Sequence, residues 1–238
     1  MKENFESNRK LRLASYNIRK AKGLDGRHDP GRVVDILAGI NADIVAIQEA
    51  DFRWRGSPAA LSPDMIAERS DYSVVQVTPE NDSIGWHGNA ILVRHDLQVI
   101  DVKKLALSGL EPRGALRIDL DIGGNLTVIA THLGLTRYHR QRQLAEIRAD
   151  VAPELGSTVI MGDFNEWSQK RGLDALTPDF AVYSPGKSFH SAMPVAALDR
   201  FALSNDIDLL DAGVVETRAS LRASDHLPIW GDVAINGG

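Results

Sequence analysis

Thr158-Val159-Ile160-Met161-Gly162-Asp163-Phe164-Asn165-Glu166-Trp167 is the stretch whose reading decides the fold. Its first four residues, β-branched and apolar, read as a short buried strand, and the Gly, Asp and Asn after it are residues that end a strand in a turn. A carboxylate and an amide thus stand two residues apart at a strand's carboxyl end. There the strand fixes the backbone while the turn leaves side chains free to face a ligand. Taken alone, Asp163 and Asn165 are equally well explained by hydrogen bonds to their own turn. The rest of the chain changes that balance.

Upstream, Leu11 to Ile18 reads as a strand closing on Asn17, followed by a basic turn through Arg19, Lys20, Lys22 and Gly23. Pro30 to Ile40 has helical spacing, with Pro in its first turn, and the buried run from Asp43 ends in Glu49. A short helix is expected from Pro63 to Arg69. Strands follow at Tyr72 to Val77, Asn89 to Arg94, Leu97 to Leu107, Ala115 to Ile122 and Leu126 to His132, with turn residues such as Asn81-Asp82 between them. This series resembles an antiparallel meander. Arg137 to Leu155 is the clearest helix, its final turn interrupted by Pro153.

Downstream of the opening stretch, Trp167 to Pro194 reads as irregular, and strands follow at Leu198 to Leu203, Leu209 to Val215 and Leu227 to Ile235. No repeat or linker divides the chain. Residues 1–10 are taken as a disordered or extended segment and 11–238 as one domain. Many strands with few helices suggest two packed sheets covered outside by helices.

Composition narrows the chemistry. With 238 residues, 43% hydrophobic, the chain can bury a sizeable core, and a net charge of -5 argues against a whole-surface basic field for nucleic acid. There is no cysteine, so neither a disulfide, a thiolate metal site nor a cysteine nucleophile is available. Met1 to Arg12 has no apolar core and no run approaches membrane-spanning length, which sets a cytoplasmic expectation.

Polar residues recur where strands end: Asn17, Glu49, His132, Asp163 with Asn165, and Asp225 with His226. Asp199 reaches the same edge if its strand runs the opposite way. Glu49, helped by Asn17 and Asp225, offers hard oxygen ligands suited to Mg²⁺, which keeps several waters and shares itself with phosphate oxygens. His226 oriented by Asp199 has the form of a general base with a carboxylate behind it, and His132 and Asn165 are placed to stabilise a phosphoryl oxygen. No His-Glu-x-x-His helix points to zinc. Together these parts describe hydrolysis of a phosphoester.

Seven segments in order then carry a resemblance: Ala14-Ser15-Tyr16-Asn17-Ile18, Asp43 to Glu49, Gly88-Asn89-Ala90-Ile91-Leu92, Ala130-Thr131-His132-Leu133, Gly162-Asp163-Phe164-Asn165, Leu198-Asp199-Arg200-Phe201 and Ser224-Asp225-His226-Leu227-Pro228. The chain resembles the endonuclease/exonuclease/phosphatase family of deoxyribonuclease I-like, metal-dependent hydrolases over nearly its whole length. The resemblance implies a four-layer α-β-β-α sandwich of two mostly antiparallel sheets flanked by helices, with the site where strands stop. It implies Mg²⁺, with Mn²⁺ as a substitute, held mainly by Glu49 with Asn17 beside it and Asp225 in support. Asp163 would orient or deprotonate water, Asn165 and His132 would contact phosphate, and His226 would pair with Asp199. Asp163 and His226 both remain credible bases.

Weaker substrate contacts are expected from Asn89, Arg113 and Arg19, and from Trp54 and Arg55, whose loop mixes aromatic faces with guanidinium groups. The similarity is greatest to a small bacterial branch with Arg113-Gly114-Ala115-Leu116 and short loops, a branch associated with phospholipid genes. Two departures matter. The family's base-excision endonucleases place Asp where Arg19 stands and Tyr where His132 stands, and its inositol polyphosphate phosphatases carry Cys before the Asp-Arg pair. The expected activity is therefore hydrolysis of a small or phospholipid-related phosphodiester, with peripheral lipid contact allowed and protein partners left open. The alternatives are a DNA or RNA nuclease and a catalytically silent binding protein.

Overall fold

The structure, a computed structural model, describes residues 9–52, 59–77, 83–152, 155–169, 171–177 and 179–236. Along the chain these form β1 (Arg9–Asn17), α1 (Pro30–Ile40), β2 (Ile44–Gln48), α2 (Pro63–Arg69), β3 (Tyr72–Val74), β4 (Ala90–Arg94), β5 (Gln98–Leu107) and β6 (Arg113–Asp121). Then come β7 (Asn125–His132), α3 (Arg137–Val151), β8 (Ser157–Asp163), β9 (Phe180–Tyr183), β10 (Asp199–Ser204), β11 (Ile207–Val214), α4 (Ser220–Ala223) and β12 (Ile229–Ile235).

Two six-stranded sheets result, ordered β11-β12-β1-β2-β4-β3 and β5-β6-β7-β8-β10-β9. Each is antiparallel except for one pair, β1 with β2 in the first and β7 with β8 in the second. Parallel neighbours need a crossover, and α1 and α3 supply it. Both helices start on a capping side chain: Asp29 accepts from the Arg32 amide at 3.0 Å, and Thr136 from that of His139 at 3.4 Å.

Period-two alternation sorts the side chains into layers. Leu13, Ile44 and Ala46 of the first sheet meet Val128, Ala130, Val159 and Met161 of the second in a core between the sheets. The intervening Ala14, Tyr16, Val45 and Ile47 face outward onto Val33, Val34, Leu37 and Ile40 of α1. Ile129 and Ile160 likewise face Leu144, Ile147 and Val151 of α3. The result is the α-β-β-α sandwich, in which each fully buried aliphatic side chain contributes roughly 1.5–3 kcal/mol.

Two expectations are corrected. The strands from Tyr72 to His132 are not one meander: β3 and β4 join the first sheet, and only β5 to β7 run as a meander in the second. The irregular stretch from Trp167 to Pro194 contains β9, an edge strand of four residues, too short to show a period. Within the segment expected to be disordered or extended, Arg9 and Lys10 are extended and pair with Ile235 and Ala234, which leaves that expectation standing. The long helix ends at Val151. Pro153, the Asn81-Asp82 turn and the loop residues Trp54 and Arg55 lie outside the described residues.

Candidate active site

The two parallel pairs end side by side at one rim of the sandwich. Asn17 is in register with Gln48, the residue before Glu49, and His132 is in register with Asp163. β10 runs antiparallel to β8 and sets Asp199 directly opposite Asp163, as its direction required. The lead into β12 brings Asp225 and His226 to the same rim, tied to β1 by the Ser224 hydroxyl donating to the Asn17 carbonyl at 2.7 Å. Asn17, Glu49, His132, Asp163, Asn165, Asp225 and His226 all line one cleft of about 470 Å³.

Asp163 is the hub of this cleft and is almost fully buried. Its Oδ2 accepts from Asn17 Nδ2 at 3.1 Å and lies 3.4 Å from His132 Nε2 and 3.6 Å from His226 Nε2. Its Oδ1 accepts the Asn165 amide at 2.9 Å, the turn contact expected from an Asp ending a strand. Asn165 itself, at φ +51°, donates its side-chain amide to the Leu133 carbonyl at 2.9 Å.

His226 is held from both sides. Its Nδ1 meets Asp199 Oδ2 at 2.8 Å, the same oxygen also accepts the Ser188 hydroxyl, and the Phe189 ring lies 5.0 Å from the imidazole. Burial disfavours charge on this ring, but the carboxylates of Asp199 and then Asp163 outweigh it and raise its pKa to about 10. The direction of that shift favours the charged imidazole, with Nδ1 turned to the Asp199 carboxylate. Asp163, Asp199 and His226 bring ligand-type atoms within 4.8 Å of one another. The trio has the geometry of a carboxylate–imidazole–carboxylate relay and also of a group able to hold a metal ion.

Asn17, Glu49 and Asp225 line the same cleft and offer hard oxygens, that of Asn17 accepting the Arg19 amide at 3.1 Å. Glu49 stands at φ +54°, strain of the kind that collects at functional sites. Before it, Arg19, Lys20 and Ala21 form a tight turn with φ of 47°, 55° and 57°. The turn carries the Lys20 ammonium onto Glu49 Oε2 at 2.7 Å, so a positive charge sits against this carboxylate. That donor set fits Mg²⁺.

The weaker expectations divide. Arg113 lines the cleft. Asn89 is fully buried and serves the fold, donating to the Gly114 carbonyl at 2.9 Å and so tying the start of β4 to β6. Arg19 lies 3.7 Å from Asp225. Reading by strand ends passed over Lys20, Leu135, Trp167 and Phe189, all of which wall the cleft. For Lys20 the available signal was a basic turn directly after Asn17.

Buried arginines brace the rim. Arg140 donates to the Leu135 carbonyl at 2.6 Å and to Glu166 at 2.7 Å, and Arg200 donates to the carbonyls of Glu166 and Ser168 at 2.8 and 3.0 Å. Several apolar side chains are exposed on the elements that bound the cleft. Leu135 and Trp167 are exposed at its wall, Tyr138 follows on α3, and Met193 and Val195 are exposed on the loop after Phe189, whose ring packs 6.1 Å from Trp167.

The family model of the endonuclease/exonuclease/phosphatase family matches residues 14–226. The YbhP protein of Escherichia coli K12 is 29% identical over 221 residues, covering 84% of this chain and 86% of its own. An endonuclease/exonuclease/phosphatase family protein of Bacteroides thetaiotaomicron superposes with a TM-score of 0.77 at 18% identity, over 97% of this chain and 99% of that one. The mannosyl-6-phosphatase Bt3783 of the same organism superposes with a TM-score of 0.73, also at 18% identity, over 94% and 99%.

Proposed function

The chain belongs to the endonuclease/exonuclease/phosphatase family, and from that premise we propose that it is a Mg²⁺-dependent phosphodiesterase acting on a small or phospholipid-related phosphodiester. Phosphoester hydrolysis is the general chemistry of the family. The observation that carries the reading is Asp163 held between an amide donor and two imidazoles, in a cleft that also contains Glu49.

Asn17, Glu49 and Asp225 would hold the metal. Bound there, Mg²⁺ neutralises phosphate charge and eases departure of the leaving oxygen. Asp163 orients the attacking water in line with the scissile bond. The water oxygen forms the new bond to phosphorus, its proton passes to Asp163, and the ester P–O bond opposite breaks. His226, which Asp199 keeps in place, faces the negative charge that builds on the phosphoryl oxygens, with His132 and Asn165 alongside. Asp163, at the hub of the cleft, is assigned the role of base, and His226 backed by Asp199 is the other candidate. Positioning and electrostatics supply most of the rate in such reactions.

The apolar rim favours a substrate with a hydrocarbon part, and a cleft walled by Leu135 and Trp167 suits peripheral contact with lipid. The test is a panel of bis(p-nitrophenyl) phosphate, a phosphomonoester, plasmid DNA, RNA and phospholipid vesicles, each with Mg²⁺ and with chelator. Preference for the small diester or the vesicles supports the reading. Preference for DNA or RNA replaces it with a nuclease, and silence on every member leaves a binding protein.

A further inference from the structure

Arg113 opens β6 at the edge of the cleft and is 5% exposed. Its Nη2 donates to Glu111 Oε2 at 2.6 Å, while Nε and Nη1 are buried and, among the described residues, have no hydrogen-bond partner. A guanidinium cannot shed its proton to relieve burial, so the two unmade donors favour a ligand oxygen, which reaches them once the side chain turns into a cavity it lines.

Arg113 faces two cavities. One is the cleft of Asp163; the other is a smaller pocket of about 40 Å³ bounded by Leu110, Glu111, Thr136, His139 and Gln143, with Leu135 shared between the two. The frame of the pocket is fixed: Gln143 donates to the Ser108 carbonyl and accepts the Gly134 amide, both at 2.8 Å. The first turn of the 15-residue helix α3 forms one side, and a helix amino terminus favours negative charge. The carboxylate in the wall, Glu111, is already engaged by Arg113 Nη2.

On the phosphodiesterase reading, we propose that this pocket is a second anion subsite and that the substrate carries another phosphate group beside the scissile diester, received by Arg113. The subsite discriminates among phosphodiesters and takes no part in bond breaking.

The test uses two matched esters, thymidine 5′-(p-nitrophenyl phosphate) with and without a 3′-phosphate, hydrolysed with Mg²⁺ by the full chain and by Arg113→Met. The wild-type protein should show a KM about tenfold or more lower for the ester with the extra phosphate, and in the variant that ratio should collapse to about one. Leu135→Glu, at an exposed position on the shared wall, should compress the ratio too and serves if Arg113→Met does not fold. A wild-type ratio near one, or a ratio that survives in folded Arg113→Met, overturns the subsite. If neither ester is cleaved, the phosphodiesterase reading fails while the subsite is judged by thermal protection with inorganic phosphate in chelator. Protection lost in Arg113→Met and kept in Glu49→Gln upholds it; protection equal in all three proteins rejects it.

Discussion

Asp163 can stand at the centre of the cleft because the residue before it has no side chain. Gly162 has φ +150°, and a Cβ there would fall 1.8 Å from the Thr131 carbonyl oxygen of the neighbouring strand. Gly162→Ala should therefore lower stability by about 3 kcal/mol or more, seen as a lower denaturant midpoint. Asp199→Asn keeps the shape of the relay but removes the charge that holds the His226 proton. Turnover should fall by roughly 10²- to 10⁴-fold in steady-state assays while the thermal midpoint moves little. Asp163, Asn165 and Glu49 were legible in the sequence because each ends a buried strand, where a polar residue is conspicuous. Lys20 was not, since its contact with Glu49 depends on three successive left-handed residues that no propensity encodes.

The elements were legible where periodicity was long and hidden where pairing was distant. The helices α1 and α3 announce themselves by spacing, but nothing local says that β1 joins β2 and β7 joins β8 in parallel, or that the chain changes sheets after β4. That partition is set by which apolar faces meet in the core. Helix α3 also carries a polar duty, because Arg137 and Arg140 hold Glu166 against the cleft-rim loop. Arg140→Met would leave a buried carboxylate short of its closest partner and should destabilise the fold by roughly 3–5 kcal/mol in chemical denaturation. Burial pushes the Glu166 carboxyl up, but the two arginines more than offset it and lower its pKa to about 2. A carboxyl whose folded pKa is depressed stabilises the fold fully above its unfolded pKa near 4.5 and progressively less toward 2. The wild-type midpoint should thus fall across that acid window, and Arg140→Met should flatten the fall.

At the scale of the whole molecule, a net charge of -5 and an apolar rim stand together. Hydrolysis of a small ester by such a protein should change little between 50 and 200 mM salt, whereas a nuclease relying on phosphate contacts loses on the order of 10³-fold or more in affinity. Trp167→Ser should lower the ratio of vesicle to soluble-ester turnover by about tenfold if the rim meets lipid. The order of seven segments made the family legible from the sequence, but the rim was not, because its members come from α3, the loop after β8 and the loop after β9. The most direct measurement is hydrolysis of bis(p-nitrophenyl) phosphate by chelator-stripped protein to which Mg²⁺ is returned, alongside Asp163→Ala and Glu49→Gln. Activity that appears with Mg²⁺ in the wild-type protein and falls by at least about 10³-fold in both variants is the predicted result. Hydrolysis that persists in chelator, or that either folded variant retains at near wild-type rate, would contradict it.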